Sequence, residues 1–519
     1  MNRQKMIAEI ENPGTNWDFV IIGGGATGVG TAIEAASRGY KVLLVEQSDF
    51  GKATSSRSTK LVHGGVRYLR QGNISLVLDA LKERSIMRRN APHLVHDRSF
   101  IIPVYHWWEG PFYWLGLKLY DWLAGKESFG PSKLLSKEDT LKHIPTIEQK
   151  GLRGGVIYHD GQFDDARMLI NMVQTAAEQG ATLLNYAKAT GIIKRNSLIN
   201  GIEIIDLETN SIYKIHAKVV INATGVFADS IRRMDDPGTK NRIKGSQGVH
   251  IVLDKSFLPG DSAIMVPRTS DGRVLFALPW HNKTLVGTTD TLVEGFSLEP
   301  RAKEEEIEFL ISHAAKYLTK DPVKSDVKSV FVGLRALVKS KKEKNTSAIS
   351  RDHMITISNG GLVTITGGKW TTYRKMAEEA VDRAAILVNL KPKSSITKNL
   401  RIHGYHTNAS VFKDLAIYGA DASSIQQLIN EDETYKVKLH PEYPTVAGEV
   451  IWAVRYEMAR NIEDFLARRS RLLLLDARAS LEAAPKVAEF MARELNKDEK
   501  WIRNQLSDYQ MLVLNYLIG

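Results

Sequence analysis

The first pattern that can do chemistry lies in residues 18–28. Asp18-Phe19-Val20-Ile21-Ile22 is a β-branched run of the kind found in buried parallel strands. Gly23-Gly24-Gly25-Ala26-Thr27-Gly28 follows it with the spacing G-x-G-x-x-G. This spacing suits a phosphate cradle. Gly23 permits a tight turn, Gly25 lets the backbone approach a pyrophosphate, and Gly28 lets helix and strand pack. The next helix turns free N–H groups and its positive dipole end towards the anion. Glu46 closes the following apolar run, about 20 residues on, where an acid meets a ribose.

Three further stretches have the same character. Thr54-Ser55-Ser56-Arg57-Ser58-Thr59-Lys60-Leu61-Val62-His63-Gly64-Gly65 is rich in hydroxyls and backbone donors, which suits a second cradle. Ile221-Asn222-Ala223-Thr224-Gly225 is a strand running into small residues, with Asp229 just after it. Ile365-Thr366-Gly367-Gly368-Lys369 again runs a strand into glycines, with Thr371 at the head of the next helix. Three separated strand–glycine elements are more than a nicotinamide site needs.

The rest of the chain must position these turns. At about 150 residues per domain, 519 residues predict about three domains. Hydrophobic residues at 43% and charged residues at 25% exclude disordered, collagen-like and coiled-coil classes. Cysteine is absent, which excludes disulfides, thiolate metal sites and cysteine nucleophiles. The net charge of +11 suits an anionic partner, such as a phosphorylated substrate, an anionic membrane or nucleic acid. Nucleic acid is set aside, because the charge run at 339–344 has no interleaved aromatics and belongs to no known module. No stretch approaches the ~20 apolar residues of a spanning helix. The N-terminus lacks the apolar region of a secretory signal.

On these residues the chain resembles the FAD-dependent glycerol-3-phosphate dehydrogenases, the aerobic, quinone-linked type, within the glycine- and D-amino-acid-oxidase-like flavoproteins. The matching stretches are IIGGGATGVG (21–30), ATSSRSTKLVHGGVRYL (53–69), INATGVFAD (221–229), LVGTTDT (285–291), GLRAL (333–337), ISRDH (349–353) and TGGKWTTYRKMAE (366–378). The likeness covers about residues 15–390 and continues more loosely through RYEMARNIEDFLARRSRLLLLD (455–476). It implies an α/β fold with three parts. A Rossmann-like FAD-binding domain is expected from 15–105, 165–245 and 335–390. An antiparallel-sheet substrate domain is expected from 106–164 and 246–334, and a C-terminal helical domain from 400–519. Helix-period segments are read at 302–319, 372–388 and 446–475.

The resemblance implies oxidation of sn-glycerol 3-phosphate to dihydroxyacetone phosphate, with hydride passing to FAD and electrons to membrane quinone. The alternative is an oxidase that passes them to oxygen and releases peroxide; that branch carries an insertion not evident between Arg242 and Lys369. The expected cofactor residues are Gly23, Gly25, Gly28, Glu46, Thr54, Ser55, Lys60, Leu61, His63, Gly64, Gly65, Ala223, Gly225, Asp229, Gly367, Gly368 and Lys369. Arg67 and Arg335, flanked by apolar residues, suit a phosphate dianion, which calls for forked guanidinium donors. Tyr68, His250, Lys369 and Thr371 complete the expected substrate-binding set, and His250, Arg335 and Lys369 are the expected catalytic residues. Lys369 offers a cation to the flavin, and His250 is the preferred base, with His63 as the alternative. His159-Asp160-Gly161 and Asp164-Asp165 introduce a flavin-domain helix, so Asp there reads as a cap and no metal site is expected.

Residues 107–123 hold four of the nine tryptophans. Trp and Tyr favour the headgroup boundary, so membrane contact is one reading. A wall of the substrate-domain core and a subunit interface, as in a homodimer, are the others. A quinone acceptor places the protein in the cytoplasm, peripherally on the inner face of the cell membrane.

Overall fold

The computed structural model describes residues 1–65, 73–269, 272–338 and 353–518. Two sheets organise them. The first runs, from one edge, through Met354–Ile357, Val363–Thr366, Ile212–Asn222, Trp17–Ile22, Val42–Val45 and Thr182–Leu184. Its central strands are parallel, and Val20, Leu43 and Val220 lie side by side with no exposure to solvent. Near-continuous apolar runs are what a parallel sheet buried on both faces requires. The helices Ala26–Ser37, Asp165–Glu178 and Tyr373–Leu387 pack on it. A hairpin, Ala187–Arg195 with Leu198–Asp206, joins it through Ile212–Asn222.

The second sheet is mostly antiparallel. Its centre is Ile243–Asp254, which pairs with Lys283–Gly287, Thr291–Val293 and Ser329–Val338. The order continues through Leu275–Trp280, Ala263–Val266, Val95–Val104 and Gly154–Phe163 to Leu61–Val62. This is the expected α/β architecture, but the boundaries move. Val95–Val104, placed by the sequence in the cofactor half, pairs along its whole length with Gly154–Phe163 in the second sheet. Ser329–Val338 crosses the expected boundary at 334/335 as one unbroken strand.

The C-terminal region is helical, with Ala447–Glu457, Ala477–Leu495 and Glu499–Val513 as its main helices. It shares its core with the second sheet, since Phe100, Tyr158 and Phe331 belong to the same apolar cluster as Ile425, Phe465 and Val487. The segment 446–475 is not one helix. It turns left-handed at Met458 and Arg471, with a π-helical turn over Asp464–Arg469 between them. The breaks aim three arginines inward. Arg468 and Arg469 both reach Asp49, and Arg471 Nε lies 3.0 Å from Asp164 Oδ2. Buried charges must be paired, and partners in the cofactor half fix this course of the chain. Asp164 also caps the Asp165–Glu178 helix, accepting from Arg167 N at 2.9 Å, as the sequence suggested.

Candidate active site

The two sheets enclose a cavity of about 500 Å³, within the usual size of a ligand or cofactor site. The glycine turn forms one end. Gly23 has φ +114°, and a Cβ on Gly28 would lie 1.9 Å from the Gly23 carbonyl oxygen, so the turn and the Ala26–Ser37 helix can meet only without side chains. Gly23, Gly25, Glu46, Thr54 and Ser55 line this end. Glu46 Oε2 accepts from Gly24 N at 2.6 Å and Oε1 from Ser48 N at 2.9 Å, which fixes the carboxyl at the strand end. Burial pushes its pKa up, against the pull of those two donors. Ser55 Oγ accepts from Ala26 N, the first amide of the helix, at 3.0 Å. Thr54 Oγ1 donates to Leu334 O at 2.6 Å, tying the cradle to the strand that carries Arg335.

Ala223 and Gly225 continue the wall, and Gly367, Gly368, Lys369 and Thr371 close it from the last strand of the first sheet. Trp370, which the sequence did not single out, donates from Nε1 to Ser55 O at 2.8 Å and joins two of the glycine stretches. The second sheet contributes Leu61, His63, His250 and Arg335.

Five expected cofactor residues lie off the cavity wall. Lys60 is fully buried, and its Nζ donates to Asp165 at 2.7 Å and to Ser56 O at 2.8 Å. Burial lowers its pKa and Asp165 opposes that shift. Asp229 accepts from the backbone of Arg242 and Ile243 at 2.8 and 2.9 Å and pairs with Arg232, so it ties a helix to a strand. Gly64 N donates to Tyr120 Oη at 2.9 Å, and neither Gly64 nor Gly65 reaches the wall. Gly28 stays beneath the turn as a packing glycine. Arg67, Tyr68 and the charge run at 339–344 lie outside the described residues.

The substrate-facing end rests on strand register. His250 pairs with Phe331 and Ser246 with Arg335, so both candidate residues come from adjacent strands. The His250 ring is buried and stacks on Phe331 at 4.9 Å and 12°. Its Nε2 lies 2.9 Å from Thr59 Oγ1, and Thr59 lines the cavity. Burial, then the Arg335 and Lys60 charges, hold its pKa well below the ordinary imidazole value. Arg335 donates from Nη1 to Thr289 O and from Nη2 to Thr288 Oγ1, both at 3.0 Å. A Cβ on Gly248 would lie 2.4 Å from Nη2, so that glycine makes room for the guanidinium. Thr59, Thr288 and Thr289 were not singled out by the sequence; only their places in the matching stretches mark them.

The residues present fit a bound FAD. An acid sits at the second strand end, a helix start faces a side-chain-free turn, and one cavity runs from there past two further glycine stretches to a histidine and an arginine. Among the described residues no cluster of His, Asp and Glu could hold a metal ion.

The comparisons agree with this geometry. Residues 18–374 match the model of the FAD dependent oxidoreductases, and 363–502 that of the C-terminal domain of alpha-glycerophosphate oxidase. The chain is 38% identical to the mitochondrial glycerol-3-phosphate dehydrogenase of Homo sapiens over 97% of this chain and 74% of that one. It is 39% identical to that of Arabidopsis thaliana over 94% and 84% of the two chains. The glycerol-3-phosphate dehydrogenase of Bacillus halodurans, solved with FAD, superposes with TM-score 0.81 at 29% identity, over 99% of this chain and 97% of that one. The L-alpha-glycerophosphate oxidase of Mycoplasma pneumoniae shares the fold at TM-score 0.56 and 17% identity, over 74% and 98%. The chain belongs to the FAD-dependent glycerol-3-phosphate dehydrogenase family.

Proposed function

We propose that this chain oxidises the C2 alcohol of sn-glycerol 3-phosphate to dihydroxyacetone phosphate and passes the electrons to a membrane quinone. The observation that carries this reading is the meeting of His250 and Arg335, on paired strands, at the far end of the cavity that begins at the glycine turn. FAD, held by the glycine stretches, Glu46 and Ser55, supplies the two-electron acceptor for the C2 hydride. The Arg335 fork binds the phosphate dianion, with its plane set by Thr288 and Thr289. The C2 hydroxyl proton goes to Nε2 of His250, which lines the cavity beside Thr59 Oγ1. A depressed pKa keeps this imidazole neutral and able to accept. Substrate phosphate at Arg335 offsets one of the charges that depress it, so binding strengthens the base. Lys369 sets a positive charge at the Gly367–Gly368 turn, which would stabilise the negative charge that a bound flavin gains on reduction.

The acceptor and the membrane are read from the surface. The Glu109–Ala124 helix buries Leu117, Tyr120 and Ala124. Its other face exposes Trp108, Phe112, Leu115, Leu119 and Trp122, at helical spacing. Trp107 and Leu134 extend this apolar face, and Lys118, Lys126 and Lys133 flank it. Trp114 turns inward to the core. No helix among the described residues is long and apolar enough to cross a membrane. An in-plane contact with anionic lipid suits such a helix. A homodimer would cover the same face. Phe100, Tyr158, Met265 and Phe276 line the cavity and share one apolar cluster with Tyr113 and Trp114, which favours an apolar acceptor.

Anaerobic mixing of purified protein with glycerol 3-phosphate should bleach the flavin, and added quinone should restore the colour. No bleaching refutes the substrate. Rapid peroxide release in air without quinone moves the reading to the oxidase. Trp122→Ser should weaken binding to anionic liposomes; unchanged liposome binding with loss of a dimer would assign the face to a second subunit.

A further inference from the structure

The loop that orients Arg335 is held from behind by a buried acid. We propose that Glu306 is a positioning residue for substrate binding, fixing through Thr289 the carbonyl that orients the Arg335 guanidinium. Glu306 lies in the first turn of the Glu304–Ala315 helix, 4% exposed and off the cavity wall. Its Oε1 accepts from Thr289 Oγ1 at 3.0 Å. Its Oε2 accepts from Lys303 N at 3.0 Å and from Gln247 Nε2. Thr289 Oγ1 in turn accepts from Val249 N at 3.0 Å, and the Thr289 carbonyl takes Arg335 Nη1. On the other side of the loop, Asp290 accepts from Ser246 Oγ and lies 3.5 Å from Nη1.

Residues 288–290 are therefore pinned to the Ile243–Asp254 strand and to the helix, and both Arg335 terminal nitrogens are held by this loop. A helix cap needs only the bond from Lys303. The bonds from Thr289 and Gln247 come from the segments that build the site, since Gln247 pairs with Leu334, the residue before Arg335. A carboxylate suits the place because it offers acceptors alone to three donors. An amide there has one acceptor oxygen only: its NH2 either faces Lys303 N and Gln247 Nε2, donor against donor, or faces Thr289 Oγ1 and makes that hydroxyl accept instead of donate, so either way the hold on the loop changes.

The proposal rests on the reading of Arg335 as the phosphate-binding side chain. The test is a double-mutant cycle on the FAD-loaded enzyme with glycerol 3-phosphate. Glu306→Gln should keep FAD and raise KM by about tenfold, with kcat changed by less than about threefold. In the Arg335→Lys background the same change should move KM by less than about twofold. Equal effects in both backgrounds, or a fall in kcat with KM unchanged, would overturn it. If Glu306→Gln does not fold, Thr289→Val and Thr289→Ser carry the test. The valine, without the hydroxyl, should raise KM well above the serine, and equal KM values overturn the proposal. Glycerol, which lacks the phosphate, separates the two readings. If Arg335→Lys slows glycerol as much as glycerol 3-phosphate, the phosphate assignment fails while a persisting coupling keeps Glu306 as the support of Arg335. If Arg335→Lys discriminates between them but no coupling exists, only the proposal for Glu306 fails.

Discussion

The two ends of the cavity are held by different kinds of contact. At the glycine turn, backbone meets backbone: Gly23 approaches Ala223, Gly28 approaches Gly23, and Glu46 is fixed by two amides. At the far end, side chains do most of the holding: Thr59 meets His250, Phe331 stacks on it, and the Thr288 hydroxyl with the Thr289 carbonyl sets Arg335. The cradle therefore tolerates no added volume at its glycines. The far end tolerates some change of shape but depends on charge and on donor geometry.

Volume at the cradle gives the largest expected effect. In Gly28→Ala the new methyl group would meet a backbone oxygen that cannot turn aside. Flavin absorbance per protein should fall nearly to zero, with much of the chain misfolded. Retention of FAD by this variant would mean that the turn opens more freely than the contacts show. At the other end Arg335→Lys keeps the charge and loses the fork. Loss of a charged hydrogen-bonding partner costs ~1.5–3 kcal/mol, so kcat/KM for glycerol 3-phosphate should fall by roughly tenfold to two hundredfold at ~1.4 kcal/mol per decade. FAD content should not change. A loss of flavin here would dissolve the contrast between the two ends.

A smaller effect concerns protons. His250 must be neutral to accept one, and its pKa is held down by burial and then by Arg335. The acid limb of kcat/KM should therefore lie below ~6.5, the ordinary imidazole value. In Arg335→Gln the residual activity should show this limb at higher pH, because one depressing charge is gone. A limb that stays in place would separate His250 from the proton step.

The smallest effect lies outside both ends. His403 Nδ1 lies 2.5 Å from Glu178 and Nε2 2.7 Å from Asp421. Burial lowers its pKa, but the bonds to Asp421 and Glu178 outweigh that and raise it to about 9. A raised histidine contributes stability that is complete below its unfolded pKa of ~6.5 and is lost as pH rises through the folded one. Thermal stability should drop slightly between pH 7 and 10, less so in His403→Gln, while flavin reduction by substrate stays the same. A parallel drop in flavin reduction would show that the far end responds to global stability.

The same contrast explains what the amino-acid sequence disclosed. The cradle was legible because its six residues are contiguous and its partners are strand ends. Asp164 was legible as a cap because a cap acts within one turn. Lys60 and Asp229 adjoin cradle residues in the chain, yet their side chains lie off the wall, because burial sends their charges to Asp165 and to the amides of 242 and 243. The break in 446–475 was hidden because Asp49 and Asp164, which draw its arginines inward, lie hundreds of residues earlier. Glu306 carries no motif and Thr289 is marked only by its place in the 285–291 stretch; their contact exists only once the strands are in register.

The cofactor wall has a consequence for how the protein is made. Its parts leave the ribosome at very different times, since Ile22 begins the wall and Tyr373 ends it. At about 5–20 residues per second the interval is roughly 20–70 s. Throughout it, the nascent chain holds a phosphate turn with no opposite bank, because Val363–Thr366 has yet to join Ile212–Asn222. Flavin capture is thus a late event in biogenesis, and a polypeptide truncated before residue 363 would be synthesised without ever having had a place to keep it.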